Sequence, residues 1–234
     1  MMVGSFFFDN GVTMHRLGLF IALEGIDRCG KGTQRPGVTQ WFQELGYKVD
    51  FDAEPTLSNP VGKKIHEILA HQESAPAPLE FQRLFVLDRA QDVICCILPT
   101  LVRGDIVLRE RYALSTIAYG MLDEPMQKLF DLHYDVIGKW MLWPDLTILL
   151  DIPPETAMER LAVSGSVPQF FEKTEKLRKM RENYLQLAQQ THAAGQLLGE
   201  IKIINGEQPK EKVSADIQEV IIEHLSSRQH DQRA

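Results

Sequence analysis

Residues 25–33, Gly-Ile-Asp-Arg-Cys-Gly-Lys-Gly-Thr, constrain the fold more than any other stretch of the chain. The apolar run Leu19-Phe20-Ile21-Ala22-Leu23 precedes them and reads as a buried strand, and a segment rich in helix formers follows. Strand, glycine loop and helix, in that order, make an anion site. The glycines let backbone N–H groups turn inward, and the helix N-terminus adds donors and a partial positive charge. Gly25, Gly30, Lys31, Gly32 and Thr33 are therefore candidate nucleotide-phosphate residues, with the Lys31 ammonium reaching the β- and γ-phosphates. The residue after the lysine is commonly Ser or Thr, whose hydroxyl holds Mg²⁺. Here it is Gly32, so a direct metal ligand at that position is not expected. Cys29 lies inside the loop, either as a small filler or as a thiol activated by the neighbouring charges.

A chain of 234 residues fits one α/β domain. The net charge of −7 argues against general affinity for nucleic acid. The three cysteines show no CxxC spacing, which excludes a disulfide framework or zinc site and suits a reducing compartment. No apolar run approaches the ~18 residues of a membrane span. Residues 1–17 read as a loose extension, 18–228 as the domain and 229–234 as a polar tail.

Further elements follow in order. Tyr47 to Phe51 alternates as a short strand, with Glu54-Pro55 just beyond its end. Pro36-Gly37 is expected to disturb the start of the helix after the loop. Leu79 to Arg103 reads as one long helix, apolar on much of its circumference and kinked at Pro99. On it Phe85 and Arg89 share a face, an aromatic plane beside a guanidinium that suits a nucleobase. By spacing alone, a core Phe and a surface Arg fit as well. Asp105 to Arg109 reads as a buried strand with Glu110-Arg111-Tyr112 at its carboxyl end, where ligands of open α/β sheets bind. Glu110 there suits Mg²⁺ or its waters, and Arg111 a phosphate. Residues 162–169 are small and hold no Arg or Lys.

These segments together resemble the thymidylate kinase family, over about residues 18–225. Glu24 to Gln34 looks like that family's phosphate loop, and Arg28 after Asp27 resembles the subgroup that keeps its catalytic arginine there. Gly-Lys-Gly-Thr-Gln is also similar to the adenylate kinase form of the loop. Glu54-Pro55 resembles an Arg-Glu-Pro motif whose arginine contacts the monophosphate; here that position is Ala53. Leu84 to Gln91 resembles the helix whose Phe stacks on thymine and whose Arg bonds the base. Glu110 to Gly120 resembles the Asp-Arg-Tyr segment, with Glu in place of Asp.

The resemblance implies a three-layer P-loop NTPase fold, a five-stranded parallel sheet with helices on both faces. It implies phosphorylation of dTMP by ATP with Mg²⁺. Lys31, Arg28 and Arg111 are then catalytic, and Glu110 holds the hydrated metal. Asp27, Glu54, Phe85, Arg89, Arg111, Ser115 and Tyr119 bind the acceptor: Asp27 takes the sugar 3′-hydroxyl and Tyr119 crowds the 2′ position. Residues 162–169 take the place of the lid. A cytoplasmic homodimer, packed through the long helices and with no nucleic-acid or membrane partner, completes the expectation. Ala53 and Glu110 keep open a kinase of another acceptor, such as a deoxynucleoside. A nucleotide-binding regulator without turnover is the third reading, opposed by intact Lys31, Arg28 and Arg111.

Overall fold

The computed structural model describes residues 5–7, 13–15, 18–165, 171, 173–194 and 198–231. Ahead of the domain, β1 (Ser5–Phe7) pairs antiparallel with β2 (Thr13–His15). The strand expected from the apolar run is β3 (Leu19–Glu24), buried at every residue. A strand buried on both faces belongs in the middle of a parallel sheet, and β3 lies there. Next come α1 (Lys31–Glu44), β4 (Val49–Ala53), α2 (Pro60–Leu69), α3 (Pro78–Asp92) and α4 (Leu98–Val102). They are followed by β5 (Ile106–Glu110), α5 (Ala113–Gly120), α6 (Met126–Ile137) and β6 (Leu146–Asp151). The chain continues through α7 (Pro154–Ser164), α8 (Thr174–Ala194), β7 (Glu200–Asn205) and α9 (Lys210–Asp231). The five-stranded sheet has the order β4-β5-β3-β6-β7, every neighbouring pair parallel.

Alternation along β3 divides the core. Leu19, Ile21 and Leu23 pack with Val38 and Phe42 of α1 and Ile217 and Ile221 of α9. Phe20 and Ala22 point the other way, onto Val86 of α3, Leu101 of α4 and Leu132 of α6. Helices thus cover both faces, and every strand of the sheet delivers its carboxyl end to one rim. Among the described residues, no helix is long and apolar enough to cross a membrane.

Three local expectations change. Pro36 sits inside α1 without breaking it, since it costs the second turn a single N–H donor. The long apolar helix is not continuous. A wide turn, Val93–Ile97, separates α3 from α4, and the Leu98 N–H reaches back five residues to the Val93 carbonyl. Pro99 has no N–H to bond the Cys95 carbonyl, so the ladder loosens just ahead of it rather than kinking at it. α5 was not legible in the sequence, being too short to show a period.

Candidate active site

The phosphate loop joins β3 to α1. Gly25 adopts φ 135, and a Cβ there would lie 2.5 Å from the Leu150 carbonyl oxygen, so only glycine lets the loop cross β6. Lys31 opens α1 and folds back over the loop. Its Nζ donates to the carbonyls of Gly25 (3.0 Å) and Ile26 (2.9 Å) and to Cys29 Sγ (3.4 Å). The Cys29 side chain is buried beneath the loop, which favours the filler over the thiol open to reagents. Arg28 and Arg111 both occupy left-handed backbone, φ 66 and φ 68. Non-glycine residues are held there at a cost of ~1–2 kcal/mol, a strain that clusters at functional sites.

Arg111 is the hub. Its Nη2 donates to Asp27 Oδ1, and its Nη1 donates to the Gly25 carbonyl and to Ser115 Oγ, each at 3.1 Å. The guanidinium lies over the Tyr119 ring, 5.1 Å from its centroid. Tyr119 Oη donates to Asp27 Oδ2 at 3.2 Å. Burial pushes the Asp27 carboxyl up, but the Arg111 and Lys31 charges and the two hydrogen bonds outweigh it and hold it below its ordinary value. Asp27 therefore stays an acceptor at neutral pH.

Two adjoining pockets share Asp27 and Arg111 as a common wall. The first is also lined by Glu54, Phe85, Arg89, Ser115 and Tyr119, so all the residues expected to bind the acceptor face one cavity. The second is lined by Arg28, Gly30, Lys31, Gly32, Thr33 and Glu110. Gly25 contributes its carbonyl rather than a wall. A Cβ on Gly32 would meet Glu110 Oε2 at 3.5 Å, an ordinary contact, so the Glu110 carboxylate faces the loop beside that position.

Arg89 departs from a simple base reader. It is buried and forks onto Glu54, through Nε to Oε1 at 3.2 Å and Nη2 to Oε2. Nη2 also reaches Thr116 Oγ1 at 3.0 Å, and the guanidinium stacks 4.7 Å from the Tyr112 ring centroid. Burial pushes the Glu54 carboxyl up, against the pull of Arg89. Arg89 Nη1 meets His133 Nε2 at 2.8 Å. Guanidinium has no acceptor, so Nε2 must accept, and Nδ1 then carries the proton and donates to the Leu129 carbonyl at 2.7 Å. Burial and the Arg89 charge bring His133 down to about 3.

That shift predicts a pH effect on stability. The folded value lies below the unfolded one, so the native state binds fewer protons. The contribution is complete above about 6.5 and is lost as pH falls towards 3. Between pH 7 and 5 the wild type should lose about 2 kcal/mol more than His133→Gln. Urea denaturation of both proteins at the two pH values measures it; equal losses would mean that His133 protonates without unfolding.

Sequence reasoning missed His133, and it missed Glu24. Buried at the end of β3, Glu24 Oε1 accepts the Tyr112 and Ser115 N–H groups at 2.8 and 3.1 Å. Its Oε2 accepts Ser115 Oγ at 2.5 Å and Tyr184 Oη at 3.1 Å. The carboxylate thereby fixes the start of α5, and Ser115 in turn holds Arg111. A charged residue closing an otherwise apolar strand was the available signal. Arg160 on α7 joins the phosphate side, donating to the carbonyls of Arg28 (3.0 Å) and Gly206 (2.8 Å). Arg28 Nη1 reaches Ser164 Oγ at 3.4 Å. Of the segment expected to be the lid, Ala162 to Ser164 complete α7, and residues 166–169 lie outside the described residues.

A family model described as thymidylate kinase matches residues 23–217. A probable thymidylate kinase of Pyrococcus horikoshii is 35% identical over 205 residues, covering 86% of this chain and 94% of that protein. One of Thermococcus kodakarensis is 36% identical over 208 residues, covering 85% and 95%. A thymidylate kinase of Leifsonia xyli is 33% identical over 211 residues, covering 88% and 95%.

Proposed function

Since this chain belongs to the thymidylate kinase family, we propose that it transfers the γ-phosphoryl group of ATP to dTMP, giving dTDP and ADP. The observation that carries the reading is the wall shared by the two pockets, Asp27 and Arg111. ATP phosphates lie in the loop pocket and the acceptor nucleotide in the other, so the two phosphates meet at Arg111. An oxygen of the dTMP phosphate attacks the γ-phosphorus in line, and the bond to the β-phosphate oxygen breaks towards ADP. The attacking group is already anionic, so no strong base is required; positioning and charge neutralisation do the work.

The roles follow from the contacts. Lys31 and Arg28 neutralise the transferred phosphoryl, and Arg111 orients the acceptor phosphate. Phe85 stacks on thymine, Arg89 bonds its edge with Glu54 and His133 holding the guanidinium, and Asp27 takes the 3′-hydroxyl. Tyr119 fills the space a 2′-hydroxyl would need. Among the described residues no cluster of three acidic, His or Cys side chains could hold a metal. One carboxylate facing a phosphate loop fits Mg²⁺ that arrives with ATP, and Glu110 would hold it or its waters. Such an ion would supply neutralisation of the phosphate charge.

Leu87 and Ile94 are exposed on the α3 side. They support a homodimer packed through that face. The free thiols of Cys29, Cys95 and Cys96 suit a cytoplasmic location. The test of the reaction is product identification. Incubated with ATP labelled at the γ-phosphate, the protein should move label into dTDP when dTMP is present. Label released only as inorganic phosphate would refute the reading.

A further inference from the structure

The acceptor cavity is lined by one polar side chain that the roles above leave unused. Gln82 lies on α3 one turn before Phe85 and two turns before Arg89, so the three share a helix face. It is only 5% exposed, yet its amide has no hydrogen-bond partner among the described residues. Every other polar side chain lining the cavity has a protein partner. His66 Nε2, for example, donates to the Pro55 carbonyl at 2.8 Å, and Thr116 Oγ1 accepts Arg89 Nη2 at 3.0 Å. The Gln82 amide is not sealed into the core, so a ligand in the cavity can reach it. Gly120 of α5 leaves room for its stem, since a Cβ there would come within 3.2 Å of Gln82 Cγ. A buried amide without a partner is costly, and such groups call for a bond from outside the protein.

The chemistry of the cavity says which bond is wanting. Arg89 spends Nε and both Nη2 hydrogens on Glu54 and Thr116, and one Nη1 hydrogen on His133. A single Nη1 N–H remains for a ligand, and a guanidinium accepts nothing. Thymine presents an N3–H donor between two carbonyls, so Arg89 can bond a carbonyl but cannot take N3–H. A carboxamide carries an acceptor and a donor side by side, the complement of N3–H and a neighbouring carbonyl. We propose that Gln82 is a base-reading residue of the acceptor cavity. Its Oε1 accepts the pyrimidine N3–H and its Nε2 donates to an adjacent carbonyl, beside the bond from Arg89. This rests on the phosphoryl-transfer reading above.

The test compares wild type with Gln82→Met, which keeps the length of the side chain and loses the amide. Kinetics are measured at saturating ATP with dTMP and with its N3-methyl analogue, which has no N3–H to give. In wild type the methylated acceptor should have a KM about 10- to 100-fold above that of dTMP. Gln82→Met should raise the KM for dTMP by a similar factor, leave kcat within about twofold and barely move the KM of the analogue, so the preference collapses. Its melting temperature should not fall, because no bond within the protein is lost. Should Gln82→Met fail to fold, Gln82→Asn, with the amide drawn back by one methylene, should narrow the preference; an unchanged preference there overturns the proposal. An unchanged KM for dTMP in Gln82→Met, or an equal rise for both acceptors, overturns it and leaves the transfer reading intact. A wild type that cannot phosphorylate dTMP overturns both.

Discussion

Replacing Arg28 or Lys31 with alanine is expected to lower kcat on the order of 10²-fold or more, with the affinity for dTMP almost unchanged. Both cations line the loop pocket rather than the cavity proposed for the acceptor. Charge spreads over the transferred phosphoryl in the transition state, and residues 162–169 provide no cation that could replace them. Lys31 also ties the loop to itself through three hydrogen bonds, so its removal loosens the loop as well as the charge. Arg28 Nη1 reaches Ser164 Oγ on α7 at 3.4 Å, so Arg28→Ala is paired with a stability measurement that separates a loosened contact from the lost charge. Steady-state kinetics paired with calorimetric titration of dTMP separates the two effects. Near-normal turnover in Arg28→Ala would transfer the role to Arg160, which already grips the Arg28 carbonyl at 3.0 Å.

Arg89→Met should destabilise the fold by about 3–5 kcal/mol, the usual cost of stranding one member of a buried ion pair. The side chains of Arg89 and Glu54 are only 1% and 3% exposed, so water cannot take over the lost contacts. Glu54 would be left with Asp88 and Asp92 nearby and no cation, which drives it to take up a proton. The double variant Arg89→Met with Glu54→Gln removes both charges and should recover a good part of the loss. Urea denaturation of the single and double variants gives the comparison. If the single variant loses less than about 1 kcal/mol, the pair is not the clamp on this cavity that its geometry suggests. The same variants should bind dTMP poorly, since the guanidinium and Phe85 line the one cavity proposed for the acceptor.

Most of the architecture could be read from the chain because its signals are local. The run Leu19 to Leu23 is apolar on both faces and could only be a covered strand, and the loop after it has glycine where side chains would collide with β6. The residues expected to bind the acceptor come from the loop, β4's end, α3 and α5, and the fold brings them to one cavity. What escaped the sequence depends on distance in space. Glu24 and His133 look unremarkable in their segments, yet each is buried and satisfied by partners far along the chain. The contacts of Arg35 with Phe51 and Glu110 exist only because α1 crosses over β4 and β5. The interruption of the apolar helix ahead of Pro99 was visible as a proline, but the wide turn that absorbs it depends on packing against the sheet.

The most direct test of the account is the specificity constant for each of dTMP, dUMP, dCMP and thymidine, followed by ADP release at fixed ATP and Mg²⁺. In the proposed roles Phe85 and Arg89 select the base, Tyr119 the sugar and Arg111 the phosphate, which predicts the highest value for dTMP. Thymidine should fall well below it, because an acceptor without a phosphate leaves Arg111 nothing to orient. A preference for thymidine over dTMP would contradict the account and mark the chain as a deoxynucleoside kinase.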